Sequence, residues 1–230
     1  MRRFTRAVSS AALPAAVVIS TALILASTEH WIELQLTEVL AFITGGVCVW
    51  LIVKQNIWNW PIGIANDLFF VVLFLQARLF ADMSLQVVYV FLGFLGWFWW
   101  LNGGREATEL TVSRVSPAQC VVLVILAAAA TYGGTLYLQS VKDSAPFLDA
   151  LTTVLSLIAQ YMLTRKYIEN WWVWISADVI YIGLYAYKHL YLTSVLYGIF
   201  LSMCIVGLLQ WTQSMQQDRR QDLVPATTRA

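Results

Sequence analysis

The chain has 230 residues, 60% hydrophobic and 12% charged, with a formal net charge of +1. Soluble domains carry about 25% charged residues, so this composition excludes an ordinary globular enzyme and describes an integral membrane protein. The near-neutral balance excludes a basic face for nucleic acid. Cys48, Cys120 and Cys204 fall inside apolar runs without paired spacing. They read as small buried hydrophobes rather than a disulfide framework or a metal site.

Arg2, Arg3 and Arg6 precede an apolar run over residues 8–26. It reads either as a cleaved signal segment or as a retained span, and retention is the preferred reading. Seven further runs follow, at 37–53, 58–77, 79–101, 117–138, 145–163, 171–187 and 191–211. Each has the length of a membrane-spanning helix, and none alternates as a barrel strand would. A polar stretch separates the third run from the fourth, and the tail from residue 212 onward is polar and expected to fray. The predicted organisation is an N-terminal hydrophobic segment (1–30), a first three-helix unit (31–101), a polar loop with a connector helix (102–144, helix 117–138), a second three-helix unit (145–211) and a tail (212–230). With the first run spanning, eleven Lys and Arg lie on one side and three on the other. The eleven-charge side, which holds the C-terminus, is then cytoplasmic.

The chain repeats itself at an offset of 111. Between 57–100 and 168–211, ten of 44 positions are identical, including Asn59/Asn170, Trp60/Trp171, Asp67/Asp178, Gly96/Gly207 and Trp100/Trp211. Three helices therefore recur around an unpaired connector, a parallel 3+1+3 arrangement with its axis along the membrane normal. Repeats of this kind mark transporters that hold substrate between their halves near the midplane.

Polar residues align on helical faces. Trp171, Trp174 and Asp178 stand at i, i+3 and i+7, which places a carboxylate roughly 10 Å inside the helix start. Asp149, Thr152, Ser156 and Gln160 form one stripe. Gln86, Tyr89 and Trp97 form another, and Trp60, Asn66 and Asp67 lie on the second run, while Asn170 opens the sixth. These fourteen residues are the candidate substrate contacts. Each has a plain alternative: indoles at helix ends anchor at the interface, and Thr or Ser hydroxyls bond between helices or back to the preceding turn. Asp67 and Asp178 carry the strongest signal, because a mid-span carboxylate is costly without a role. No Lys or Arg lies mid-span. That absence disfavours a phosphorylated or carboxylate substrate, while indoles, carboxylates and amides suit a small, flat, neutral or cationic solute.

Several motifs are specific. Trp60-Pro61-x-Gly63, Gln76-Ala77-x-Leu79-Phe80-Ala81-Asp82, Leu85-Gln86-x-x-Tyr89, Gly96-Trp97-x-x-Trp100 and Thr164-Arg165-Lys166-Tyr167-x-Glu169-Asn170-Trp171-x-x-Trp174 resemble the PnuC family of bacterial nicotinamide riboside transporters. The resemblance spans roughly residues 31–211. It implies an all-helical, SWEET-like 3+1+3 fold of seven spans, a homotrimer in the bacterial plasma membrane, and no cofactor. It also implies import of nicotinamide riboside by facilitated diffusion, with retention through a cytoplasmic kinase. By resemblance, Trp171 and Trp174 lie near the ring, and Asn66, Gln86 and Asp178 bond the amide or ribose. One departure stands out: the position of Asp178 often looks like Asn in relatives that carry nicotinamide riboside. The acid either strengthens cation binding or signals thiamine, riboflavin or another flat vitamin. A proton-coupled symporter using Asp67 or Asp178 is a further alternative. An intramembrane enzyme lacks support, since His30 and His189 sit in connections and no embedded Ser/His constellation accompanies them.

Overall fold

A computed structural model describes residues 36–76, 78, 80–143, 145–187 and 191–222. The apolar run at 8–26, His30 and His189 lie outside them. Seven helices follow in order: α1 (Leu36–Val53), α2 (Asn59–Gln76), α3 (Phe80–Asn102), α4 (Pro117–Ser140), α5 (Pro146–Thr164), α6 (Asn170–Tyr187) and α7 (Tyr191–Asp222), with a single 3-10 turn at Arg105–Ala107. No β-strand occurs among the described residues; Ser113 and Tyr167 share one isolated parallel bridge. The helices begin where local chemistry allows. Ser116 and Gln119 form a reciprocal capping box ahead of Pro117, which stands in the first turn of α4, and Pro146 does the same for α5. Proline there sacrifices only an N–H that would lack a helical partner.

The elements match the expected runs closely, with three corrections. The tail does not fray at residue 212, because α7 continues to Asp222. Its polar residues, mostly Gln with Arg and Asp, end the hydropathy without ending helix propensity, and Met215 is buried there. Cys120 is exposed, unlike half-buried Cys48 and buried Cys204. Trp100, at the end of its run, is a core residue at 2% exposure and not an interfacial anchor.

Among the described residues, five helices are long and apolar enough to cross a membrane: α2, Met83–Asn102 of α3, α4, α5 and Ser194–Arg220 of α7. α6 falls short because its indoles, Asn170 and Asp178 dilute its apolar residues. The outer surface is correspondingly apolar, with Phe91, Phe98, Ile125 and Val124 all exposed, as a lipid-facing surface requires.

Packing follows the sequence offset. α2 lies on α3 and α6 on α7, while α1 crosses to α7 and α3 crosses to α5. Trp60 meets Trp100 edge-on at 5.3 Å and 89°, and Trp171 meets Trp211 at 5.4 Å and 87°. Trp100 and Trp211 then touch each other at 6.0 Å. Their indole N–H groups cross over: Trp100 Nε1 donates to Leu163 O and Trp211 Nε1 to Ile52 O, each at 3.1 Å. Ile52 and Leu163 are themselves 111 residues apart. The turns before α2 and α6 also agree, with Gln55 and Lys166 at φ 53° and 51°. The Asn59 and Asn170 amides donate to Asn56 O at 2.7 Å and to Tyr167 O at 2.6 Å.

Residues 103–116 are strapped onto one of these turns. Ser113 N donates to Lys166 O, Ile168 N donates to Ser113 O, and Val115 N donates to the Glu169 carboxylate. Lys166 Nζ donates to Leu110 O at 2.8 Å and sits 4.4 Å from the Trp100 ring centre.

Candidate functional site

The α5 stripe is where the halves meet. Thr152 and Ser156 are both buried. Tyr89 of α3 shares a 2.7 Å hydrogen bond with Ser156. Tyr181 of α6 is hydrogen-bonded to Thr152, and it lies within electrostatic reach of Asp149, Asp178 and Tyr185. Tyr89 in turn lies within reach of Asp67. A polar layer therefore runs from Asp67 through Tyr89, Ser156, Thr152 and Tyr181 to Asp178. Each hydroxyl on α5 also returns a bond to its own helix, Thr152 to Leu148 O and Ser156 to Thr153 O. Such back-bonding satisfies the hydroxyl hydrogen and leaves lone pairs for the tyrosines.

Asp178 is 5% exposed, and Cys204 Sγ of α7 donates to its carboxylate Oδ2 at 3.4 Å. Beside it stand three tyrosines that the sequence reading did not single out. Tyr181 and Tyr197 lie 4.7 Å apart, and Tyr185 and Tyr197 stack at 5.3 Å. The i, i+4 spacing of Tyr181 and Tyr185 was the available signal, since it puts both rings on one helical face.

The other candidates divide. Asn66 Oδ1 accepts from Thr44 Oγ1 of α1 at 2.8 Å. Gln86, Asp149 and Gln160 are half-buried. Trp97 and Trp174 are partly buried and pack against the indole core. Trp60 and Trp171 have the contacts of core side chains and not those of interfacial anchors. They are 2% and 1% exposed, and their rings fill notches made by Gly96 and Gly207. Their neighbours Trp172 and Trp58 face outward instead, at 60% and 63% exposure. Asn170 is fully buried and locks the turn before α6 through its bond to Tyr167 O. An apolar groove of about 430 Å³ lies apart from the polar layer, between Ala118, Gln119, Val122, Leu123 and Leu126 of α4 and Tyr161 and Tyr167.

Lys and Arg are missing from all seven helices except Arg219 and Arg220 at the end of α7. A layer of carboxylates, hydroxyls and aromatic rings enclosed by apolar helices, without a cation to neutralise it, defines a multi-pass membrane transporter. Residues 35–213 match the model of the family described as "Nicotinamide mononucleotide transporter", and the chain belongs to that family. It is a family of transporters and not of enzymes. Relatives include the nicotinamide riboside transporter PnuC of Escherichia coli K12, 28% identical over 80% of this chain and 88% of the relative. The PnuC of Neisseria mucosa is 26% identical over 77% and 72%. The riboflavin/roseoflavin transporter RibM of Streptomyces davaonensis is 22% identical over 80% and 88%. The crystal structure of the vitamin B3 transporter PnuC shares the fold, with a TM-score of 0.67 and 24% identity over 89% of this chain and 90% of that one.

Proposed function

We propose that this protein imports nicotinamide riboside by facilitated diffusion across the bacterial plasma membrane, and that phosphorylation by a cytoplasmic kinase then retains it. The observation that carries this reading is the uncompensated negative layer. Two carboxylates, Asp67 and Asp178, lie on α2 and α6, neither of which holds a Lys or Arg. A phosphate there would meet no cation, whereas a pyridinium ring finds charge and π faces together. The same absence separates the riboside from the mononucleotide in the family's description, since the added phosphate is what such a site repels.

In this reading the ligand lies between Asn66, Asp67, Gln86 and Tyr89 on one side and Thr152, Ser156, Trp174 and Asp178 on the other. Trp97, Asp149 and Gln160 border it, and Trp60, Asn170 and Trp171 support it from the core. The matched contacts at an offset of 111 support a parallel 3+1+3 arrangement of the SWEET-like kind, with α4 as connector. The Lys and Arg distribution supports a cytoplasmic C-terminus. The working assembly is a homotrimer.

Uptake into proteoliposomes tests the proposal. Labelled nicotinamide riboside should equilibrate without an ion gradient, and the mononucleotide should not compete. Gln86→Ala and Trp174→Ala should lower the rate at least about tenfold, the scale of losing one well-placed contact. Accumulation above equilibrium under a proton gradient would establish symport instead. The tyrosine stack beside Asp178 favours one other reading, a broader flat ring such as riboflavin, and excess unlabelled riboflavin suppressing uptake would establish it.

A further inference from the structure

The halves agree closely at their indoles and differ at their carboxylates. Asp178 has Cys204 as a buried donor at 3.4 Å. At the equivalent place beside Asp67 the first half has Gly93, where an added Cβ would lie 2.8 Å from Ile64 Cγ1. Gly93 thus brings no thiol to Asp67; Cys48 of α1 lies within electrostatic reach of it, but its Sγ donates to Asn59 O at 3.9 Å and not to the carboxylate. The aromatic neighbours differ in the same sense. Tyr181, Tyr185 and Tyr197 correspond to Phe70, Phe74 and Gln86. Phe70 and Phe74 do stack, at 5.5 Å, with Phe69 edge-on to Phe70 at 5.9 Å, but no ring reaches them from α3 at the position of Tyr197, which is held by an amide.

We infer that the second half alone reads the charge of the ligand: Asp178, held by Cys204 and walled by Tyr181 and Tyr197, takes a cationic ring, while the first half bonds the uncharged part through Gln86 and Asn66. This rests on the substrate reading above and adds the ligand's orientation to it. The chemistry is direct. A carboxylate that must meet a cation in a low-dielectric site is most effective when its direction is already set, so that no reorganisation accompanies binding. The thiol is a weak donor, strong enough to orient one oxygen and too weak to compete with a cation for the charge. Electron-rich phenol faces add attraction for a ring carrying positive charge. In the first half the Gln86 and Asn66 amides offer hydrogen bonding to hydroxyls and carboxamide, and no thiol donor fixes the direction of its carboxylate. In this scheme Cys204 is a positioning residue and Asp178 the contact.

Two ligands that differ in charge but hardly in shape test it: nicotinamide riboside, whose ring is a cation, and its reduced dihydropyridine form, which is neutral. Both are titrated calorimetrically into the purified full chain and its variants, with thermal unfolding recorded for each. The wild type should prefer the cation by at least about tenfold. Asp178→Asn, isosteric and uncharged, should abolish that preference, whereas Asp67→Asn should retain it. Cys204→Ala should reduce it about threefold or more and Cys204→Ser restore it, since a hydroxyl is also a donor. Cys120→Ala serves as a control that changes nothing. A preference that survives Asp178→Asn, or disappears in Asp67→Asn instead, overturns the inference. Equal ratios in Cys204→Ala and the wild type remove the role of the thiol. If Cys204→Ala does not fold, the two Asp variants still decide which half reads the charge. Wild-type protein that binds neither riboside overturns the substrate reading instead. Thiamine, which also carries a cationic ring, then replaces the pair, and the inference stands only if Asp178→Asn weakens thiamine binding and Asp67→Asn does not.

Discussion

A glycine opposite an indole is a space with a defined shape. An added Cβ at Gly96 would overlap the Trp60 ring, and one at Gly207 would overlap the Trp171 ring. Both rings are already buried and close-packed, so a methyl group has nowhere to go without displacing them. Gly96→Ala and Gly207→Ala should each cost about 1–3 kcal/mol, as overpacking does, and should lower the unfolding midpoint in detergent. Gly198→Ala, with nothing within 4 Å of its added Cβ, should be neutral or stabilising by up to about 1 kcal/mol through helix propensity. Equal midpoints for Gly207→Ala and Gly198→Ala would contradict the notch. The sequence made these indoles conspicuous but left their role open, because a Trp at a helix start looks the same whether it anchors at the interface or turns inward. The recurring Trp and Gly pairs at one offset were the legible part, and the side to which each ring turned was not. The tyrosine cluster escaped notice for a related reason: Tyr197 joins it from another helix, and that proximity is tertiary.

Elements end in ways hydropathy alone does not reveal. Helix positions were legible to within a few residues because each apolar run is bounded by polar or proline-containing segments. α7 outran its apolar stretch because helix propensity and bilayer depth are separate quantities. The strap over the α5–α6 turn was unreadable, since its contacts are mainly backbone bonds made far apart in sequence. Lys166 shows what the strap does. Its ammonium is buried against Leu110 O and the Trp100 ring. Burial pushes its pKa below the usual lysine range, partly opposed by Glu109 and Asp218. The folded protein thus releases this proton at a lower pH than the unfolded chain does. Between the lowered value and the ordinary 10.5, the unfolded state binds more protons, so this group's contribution to stability rises with pH. Lys166→Met removes that titration. The wild type should therefore gain on the Met variant as pH rises toward 10.5, measured as the difference in unfolding midpoints. A difference that stays flat or shrinks would show that the ammonium is better solvated than its contacts indicate.

At the scale of the whole molecule, the decisive contacts run between the halves. Trp100 and Trp211 each donate to a carbonyl on the other half and touch each other. Trp100→Phe and Trp211→Phe should each cost about 0.5–1.5 kcal/mol for the lost hydrogen bond, and no more, because Leu163 O and Ile52 O keep backbone donors in Lys166 N and Gln55 N. The double variant should not be additive, because the rings share one cluster; an additive result would separate the two bonds energetically. The offset of 111 made two related halves visible in the sequence, while the choice of acceptor was not, since any helix-end carbonyl looks alike from a sequence. The crossed donation also bears on the protein's history. A lone three-helix unit would bury an indole N–H whose acceptor belongs to some other chain, so the smallest assembly that satisfies itself contains two such units. Joining them in one polypeptide replaces a concentration-dependent encounter with fixed stoichiometry. It also releases each unit from being its own partner. In the proposed 3+1+3 arrangement one unit can carry glycine and phenylalanine where the other carries cysteine and tyrosine.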